Sequence, residues 1–377
     1  MHTRTRNSLV VGVLAVVLAG GLVATAHEHR ANPLGGGRAL DAVPAGALLV
    51  ASADLAALRG AGAFGEVLQR GREIQGVGKV KDICGFDPIE QIDGAALAIP
   101  AANTAGDFGL VAVGTFDDEA ILACAAKVIA ARGGRPVTTP LGGFRSVHDG
   151  ASAEGGEIAV KRGGGLMLLG GGSYLRAMVD ASEGRIPNVH TSAGHAELAR
   201  AVGDGAVRLT FVLSPEQRAA MSADLPRAST IVGGAVSVGL GEKVDLHAAL
   251  RCDTSDACVE LSRAVAAVAK ERASDTKLRL VGFGSVLDRL SVDAEGPYVH
   301  ARVTLPPDEA AHLVDMALKL RGFSHPMPND AAPAAPPASA PALPSASAVA
   351  PPSPATAAAA SAAPAASAPP AASAAPR

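Results

Sequence analysis

Between residues 40 and 323, apolar runs of strand length alternate with segments of helical periodicity. Polar and apolar residues take turns in 299–303, as on a half-buried antiparallel strand. Segment 308–320 carries its large apolar residues on one helical face: Leu313, Met316, Ala317 and Leu320. Short links between neighbouring strands favour antiparallel pairing, so the pattern predicts mixed helices and mainly antiparallel sheet.

A similar order of elements occurs twice along this region. A strand leads into a helix capped by Asp54, and later a strand leads into a helix capped by Ser214. In each half two apolar strands then precede a longer helix, with an Ala-Cys pair near its start at Cys124 and at Cys258. Further strands and a final helix follow each time. The repetition predicts an α+β fold of two tandem similar lobes, each a mainly antiparallel sheet with helices on one face.

The repeat and the two compositionally distinct ends divide the chain into five segments. They are a signal peptide or membrane anchor (1–26), a linker (27–39), a first lobe (40–192), a second lobe (193–323) and a disordered tail (324–377). The tail prediction depends on residues 331–377, which are almost entirely Ala, Pro and Ser. Such a segment has too few large apolar side chains to offset the entropy lost on folding.

The N-terminal segment has the organisation of an export signal. Arg4 and Arg6 make residues 1–8 basic, and residues 9–26 follow without a charge. Residues 24–26, Ala-Thr-Ala, match the small-x-small pattern that signal peptidase cleaves. The apolar run also approaches the length that spans a bilayer as a helix. It is therefore either a cleaved signal or a retained anchor, and both place the remaining chain outside the cytoplasm, periplasmic or secreted.

The chain contains an even number of cysteines, which suggests disulfides in an exported protein. They are Cys84, Cys124, Cys252 and Cys258. The repeat layout favours one pair within each lobe, Cys84–Cys124 and Cys252–Cys258. Free thiols and a zinc site are the alternatives, although there is neither a Cys-x-x-Cys motif nor a nearby His-x-x-x-His motif.

Other chemistry has little support in the sequence. A net charge of −3 does not fit a nucleic-acid surface, and an aromatic content of 3% without Trp disfavours sugar or single-strand platforms. The glycines at 163–165 and 170–172 lack the Gly-Lys-Ser/Thr of a phosphate loop, and Gly282–Ser285 is not a nucleophile elbow. The acidic run Asp117–Glu119 fits a first helical turn. The histidines are scattered, so we predict no catalytic, cofactor-binding or metal-binding residues.

Two short motifs carry a family resemblance. They are Ala51-x-x-Asp54-Leu55-x-x-Leu58-Arg59, following Pro44, and Cys84-Gly85-Phe86-Asp87-Pro88. With them, the chain resembles uncharacterised exported proteins of GC-rich bacteria that carry domains of unknown function. In those proteins a strand runs into an Asp-Leu-x-x-Leu helix after a signal or anchor. The resemblance covers the first lobe, implies a cell-envelope setting and assigns no catalytic residues.

These observations favour an exported, non-enzymatic cell-envelope protein that binds or scaffolds another surface component, either a protein or a polymer. A membrane contact through residues 9–26 is expected if that segment is not cleaved. The alternative is an extracytoplasmic enzyme, a hydrolase in the first instance, or a small-ligand-binding protein that uses the groove between the lobes. A deep polar cleft would favour the enzyme, and an apolar pocket would favour the ligand binder.

Overall fold

The structure is a computed structural model, and it describes residues 37–61, 73–74, 78–101, 107–152, 156–224, 229–280 and 282–320. The predicted signal or anchor and the predicted tail lie outside these residues. Of the predicted linker, only the last three residues are described. They belong to a short helix in which Ala39 is fully buried, so the core begins slightly before the predicted start of the first lobe.

The strands are β1 (Ala47–Asp54), β2 (Glu73–Ile74), β3 (Gly78–Lys79), β4 (Ile92–Pro100), β5 (Gly109–Gly114), β6 (Pro136–Leu141), β7 (Phe144–Asp149), β8 (Glu157–Lys161), β9 (Leu166–Gly170), β10 (Val207–Val212), β11 (Ile231–Leu240), β12 (Val244–Cys252), β13 (Ser291–Glu295) and β14 (Tyr298–Leu305). β2 and β3 form a small hairpin. The others form one 12-stranded antiparallel sheet in the order β13–β14–β12–β11–β10–β1–β4–β5–β9–β8–β7–β6.

The helices are α1 (Gly37–Leu40), α2 (Leu55–Gly60), α3 (Val80–Cys84), α4 (Asp118–Ala131), α5 (Gly172–Ser182), α6 (Ala193–Val202), α7 (Pro215–Asp224), α8 (Ser255–Ala273), α9 (Thr276–Leu280), α10 (Phe283–Asp288) and α11 (Pro307–Leu320). Two 3-10 turns cover Pro88–Gln91 and Val189–Thr191. The α+β class and the mainly antiparallel sheet predicted from the sequence are confirmed.

The two halves share one sheet. β1 pairs with β10 at the centre of the sheet, with Val50 opposite Thr210 and Ser52 opposite Arg208. The sequence suggested a separate sheet in each lobe. Each half would then have an unpaired edge at β1 or β10, and an unpaired edge is a template for another strand. Pairing the two edges removes both, and the line between β1 and β10 is called the seam below.

Strand order is repeated outward from the seam. One side reads β1–β4–β5–β9–β8 and the other reads β10–β11–β12–β14–β13, and the hairpin β6–β7 is additional to the first half. The outer edges carry residues that discourage further pairing. β6 contains Pro136 and Pro140, which lack an amide donor, and β13 carries Asp293 and Glu295.

Helices cover both faces of the sheet. The face that carries Val50, called the seam face, packs against α1, α5 and α6. The opposite face, which carries Ala51 and is called the far face, packs against α4, α8 and α11. The sequence placed the helices of each lobe mainly on one face. Because the strands are apolar on both sides, one helical layer cannot remove both from water.

Both favoured disulfides are present. Cys84 on α3 is joined to Cys124 on α4, with 4.8 Å between the Cα atoms, and Cys252 at the end of β12 is joined to Cys258 in α8, with 5.5 Å. No cysteine is free. Each disulfide ties a helix to the chain that precedes it within the same half.

Candidate functional site

A small cavity lies on the seam face, where the two halves meet. Its volume is about 80 Å³. β1 and β10 form its floor, while α1, the 3-10 turn at 189–191 and α6 form its walls. Its polar lining residues are Ser52, His190, His195, Arg208 and Thr210, and its apolar ones are Leu40, Val50, Val189, Ala196 and Ala199. We call this space the seam cavity.

His195 of α6 is fixed by both of its ring nitrogens. Nε2 lies 2.9 Å from the carbonyl oxygen of Ala47, and Nδ1 lies 2.7 Å from Oγ1 of Thr210. A carbonyl only accepts hydrogen bonds, so Nε2 carries the proton and the Thr210 hydroxyl donates to Nδ1. Burial lowers the pKa of His195 from its ordinary value, which favours this neutral form. His195 therefore pins α6 to both halves of the sheet.

Two further polar side chains enter the floor of the seam cavity from adjacent strands. Arg208 is 5% exposed, and its Nη2 donates to the carbonyl of Gly203 and to Oδ1 of Asp204. Asp204 itself is 59% exposed, so water screens this ion pair on one side. Ser52 is also 5% exposed, and its hydroxyl has no hydrogen-bond partner among the described residues. The cavity thus combines a cationic wall with a hydroxyl that no described protein group bonds and that opens onto the cavity.

The far face presents a different kind of surface. Leu97, Leu110 and Leu169 stand opposite one another on β4, β5 and β9. They belong to none of the hydrophobic core clusters of the described residues. Leu97 is 37% exposed, and Phe108, just before β5, is 41% exposed. We call Leu97, Leu110, Leu169 and Phe108 the apolar row.

The corresponding row of the second half is covered. Gly234, Leu250 and Val299 stand opposite one another on β11, β12 and β14. Leu250 and Val299 pack under α8 beside the Cys252–Cys258 disulfide, and Val299 is 3% exposed. α8 lies over β12, β13 and β14, whereas its counterpart α4 lies over β6, β7 and β8. The outward position of α4 leaves the apolar row open, among the residues that the structure describes.

A polar cluster occupies the outer part of the seam face in the second half. His247 Nδ1 donates to the carbonyl of Val202 at the end of α6, and its Nε2 lies 3.0 Å from Nδ1 of His300. Desolvation, then the nearby Arg302, lowers the pKa of both histidines. Within the described ranges, no three His, Cys, Asp or Glu side chains are placed to hold a metal ion.

The other motifs singled out in the sequence have local structural positions. The glycines at 163–165 have positive φ angles and turn the chain from β8 into β9. Asp117 caps α4, with Oδ1 accepting from the amide of Ala120 at 2.7 Å. Ser285 lies in α10, and its hydroxyl donates to the carbonyl of Gly282. None of these side chains lines the seam cavity.

The seam cavity has almost no signature in the sequence. Ser52 and Thr210 resemble any polar residue on a strand, and their meeting depends on the pairing of β1 with β10. The one available signal is Arg208 and Thr210 at alternate positions in an otherwise apolar strand. That spacing places both on one face.

Comparisons with known proteins add little. No family model and no curated protein matches the chain. A crystal structure of TP0453 (crystal form I) is similar to this chain with a TM-score of 0.41 and 10% identity, covering 76% of this chain and 98% of that one. A similarity at this level indicates neither a shared fold nor a function.

In the described part of the chain, no helix is both long and apolar enough to cross a membrane. The two disulfides are typical of chains that fold outside the cytoplasm.

Proposed function

We propose that this chain is an exported, non-enzymatic protein of the cell envelope that binds another envelope protein through the apolar row. The observation that carries the proposal is the difference between the two halves of the far face. The same row of the sheet is covered by α8 in the second half and left open in the first. Contiguous apolar surface of this kind marks interaction sites on proteins.

The extracytoplasmic address is supported by the disulfides and by the basic, apolar and small-residue order of residues 1–26. Intact mass and alkylation of the protein from its native host test this address. The expected result is that all four cysteines are alkylated only after reduction. A chain whose cysteines react without reduction would contradict an extracytoplasmic setting. A mass that starts at His27 indicates cleavage, and a mass that includes residues 1–26 indicates an anchor.

The chemistry of the apolar row favours a protein partner over a polysaccharide. Its members are leucines and one phenylalanine, whereas sugar sites rest on aromatic platforms with polar neighbours. The seam cavity, at about 80 Å³, is also far below the roughly 300–1,000 Å³ of pockets that hold larger metabolites. The open row is therefore the better candidate for recognition of a macromolecule, because apolar area is removed from water when it packs against the apolar side chains of another protein.

Site-specific photo-crosslinking in the native host tests the partner. Leu97 or Phe108 is replaced by the photo-crosslinker p-benzoylphenylalanine, and the same replacement at Val268 is the control. Val268 is a matched site because it is 43% exposed and lies on α8, away from the apolar row. We expect one discrete protein adduct from positions 97 and 108 and none from position 268.

A second variant shows whether the adduct depends on the surface. Leu110→Asp places a charge in the middle of the apolar row, and we expect it to abolish the adduct from position 97. Val268→Asp is expected to leave that adduct unchanged. An adduct with the mass of two copies of this chain, a lipid adduct, or no adduct at positions 97 and 108 would each overturn the proposal of an envelope protein partner.

A further inference from the structure

The seam cavity points to a second site that is independent of the apolar row and lies on the opposite face of the sheet. A cavity needs about 10–15 Å³ of this measure for one water molecule, so about 80 Å³ leaves room for several waters or one small molecule. His190 stands at its solvent side, with Nε2 3.2 Å from Oδ1 of Asp41. The site is therefore lined by both halves of the chain and borders solvent.

The Ser52 hydroxyl is the strongest sign of a ligand. It is 5% exposed, it lines the seam cavity, and among the described residues no group hydrogen-bonds to it. Buried hydroxyls are nearly always satisfied, by protein, water or a bound molecule. Ser237 on β11 stands opposite Arg208, two strands away from Ser52, and is buried to a similar degree. Its hydroxyl, however, donates to the carbonyl of Val202 at 2.8 Å. The Ser52 oxygen is not one of the enclosed side-chain atoms left without a partner, so it opens onto the seam cavity and can bond a molecule held there.

The remaining polar groups set the charge of that acceptor. Both nitrogens of His195 are committed, and the Thr210 proton is directed at His195, so neither donates into the seam cavity. The guanidinium of Arg208 brings a full positive charge to the wall, and its carboxylate partner is mostly in water. A buried cation and a hydroxyl donor together favour an anionic oxygen.

The apolar walls determine the chemistry of the rest of the ligand. Leu40, Val50 and Val189 are each buried and line the cavity with hydrocarbon. A fully polar anion would leave these walls without a partner, whereas a short alkyl group fills them. We propose that the seam cavity binds a short-chain monocarboxylate of roughly two to four carbons, with its carboxylate at Ser52 and Arg208.

Titration of the full-length, oxidised protein with propionate, followed by amide chemical shifts in NMR, tests the proposal. We expect saturable shifts at the amides of Ser52, Ala196 and Thr210. Propionamide, which has the same size without the charge, is expected to bind at least about tenfold more weakly, because hydrogen bonds to charged groups are the stronger ones.

Three variants locate the site. Ser52→Ala removes the donor and is expected to weaken propionate binding by about tenfold or more. Ser52→Val fills part of the seam cavity and is expected to abolish binding, and an unfolding midpoint of Ser52→Val close to that of the wild type shows that the loss is not a folding defect. Ser237→Ala, the matched buried serine outside the cavity, is expected to leave the affinity unchanged.

Several results would overturn the proposal. Shifts that never saturate would indicate that only water fills the seam cavity. Equal affinity for propionate and propionamide would indicate that Arg208 does not select an anion. A Ser237→Ala variant that loses affinity as strongly as Ser52→Ala would place the effect outside the cavity.

Discussion

The two halves of the sheet use the same strand order but cover it with helices in different ways. In the first half, the final helix α5 lies on the seam face over β5 and β9, where Val111 and Leu168 are fully buried. In the second half, the final helix α11 lies on the far face against Val303 and Leu305. Position in the repeat therefore does not decide which face a helix covers.

The side chains of the outer strands explain this difference. The seam face of the outer second half carries His247, His300 and Arg302 where the first half carries aliphatic residues. An apolar helix placed there would bury polar groups without partners. α11 packs instead on the aliphatic far face, while α5 finds an aliphatic surface on the seam face. Burial of matching chemistry overrides the symmetry of the repeat.

The extra hairpin β6–β7 has the larger consequence for function. It extends the first half by two strands, and α4 packs over these strands and β8. In the second half the sheet ends at β13, and α8 packs nearer the seam. The apolar row is exposed because α4, the counterpart of α8, lies farther from the seam, over the hairpin and β8.

The largest expected difference between the two halves is the loss of stability when a charge is placed in the covered row under α8 or in the open apolar row. Val299→Asp puts a charge under α8, and an unpaired buried charge is expected to cost about 3–5 kcal/mol in unfolding free energy. Leu97→Asp puts the same charge in the open apolar row and is expected to cost only about 1 kcal/mol, the range of strand propensity. Urea unfolding of both variants gives the two values. A loss at Leu97 comparable to that at Val299 would mean that the apolar row is covered in the folded protein.

The two disulfides provide a second contrast. Cys84–Cys124 closes a loop of 40 residues, and Cys252–Cys258 closes one of 6. In the chain-entropy model, replacing the first pair by alanines costs about 4 kcal/mol and replacing the second costs about 2 kcal/mol. Urea unfolding of the two double variants, each of which keeps the other disulfide, measures the difference. Equal losses would show that strain or packing, and not loop length, sets their contribution.

Sequence patterns predicted elements where the periodicity was local and uninterrupted. The helix predicted over 308–320 and the strand predicted over 299–303 match α11 and β14, because each repeats or alternates within its own length. β13 begins only at Ser291, because Arg289 and Leu290 belong to the turn after α10. Element boundaries of this kind are set by local turns.

Features that depend on distant pairing were not predictable in the same way. β6 contains two prolines, which count against a strand unless it lies at an edge, and the edge is known only from the sheet. The second lobe was predicted to begin at Ala193, and that residue starts α6, whose buried face includes His195 and Leu198 and packs on both halves of the sheet. The seam cavity and the apolar row likewise depend on which strands are neighbours, and the sequence of one half does not show this.

Acid sensitivity is the third and smallest expected contrast. Its source is three histidines, one at the seam and two in the second half. Burial lowers the pKa of His195, His247 and His300 from the ordinary value of 6.5. The unfolded chain therefore binds protons more readily than the folded one, so stability is complete above about 6.5 and falls as pH decreases through and below it. Protonating both His247 and His300 would also place two cations in contact.

Unfolding by urea at about pH 7.5 and about pH 5.5, on either side of the ordinary histidine pKa, measures this effect. The wild type is expected to be less stable at the lower pH, and the His247→Asn/His300→Gln double variant is expected to show a smaller difference. The carboxyl groups of Asp149 and Glu309, whose pKa values are lowered by hydrogen bonds, lose their contribution only at still lower pH. His312→Gln, at an exposed position of α11, controls for the removal of a titratable group. A double variant that keeps the full wild-type difference would place the acid sensitivity elsewhere, with His195 at the seam as the next group to substitute.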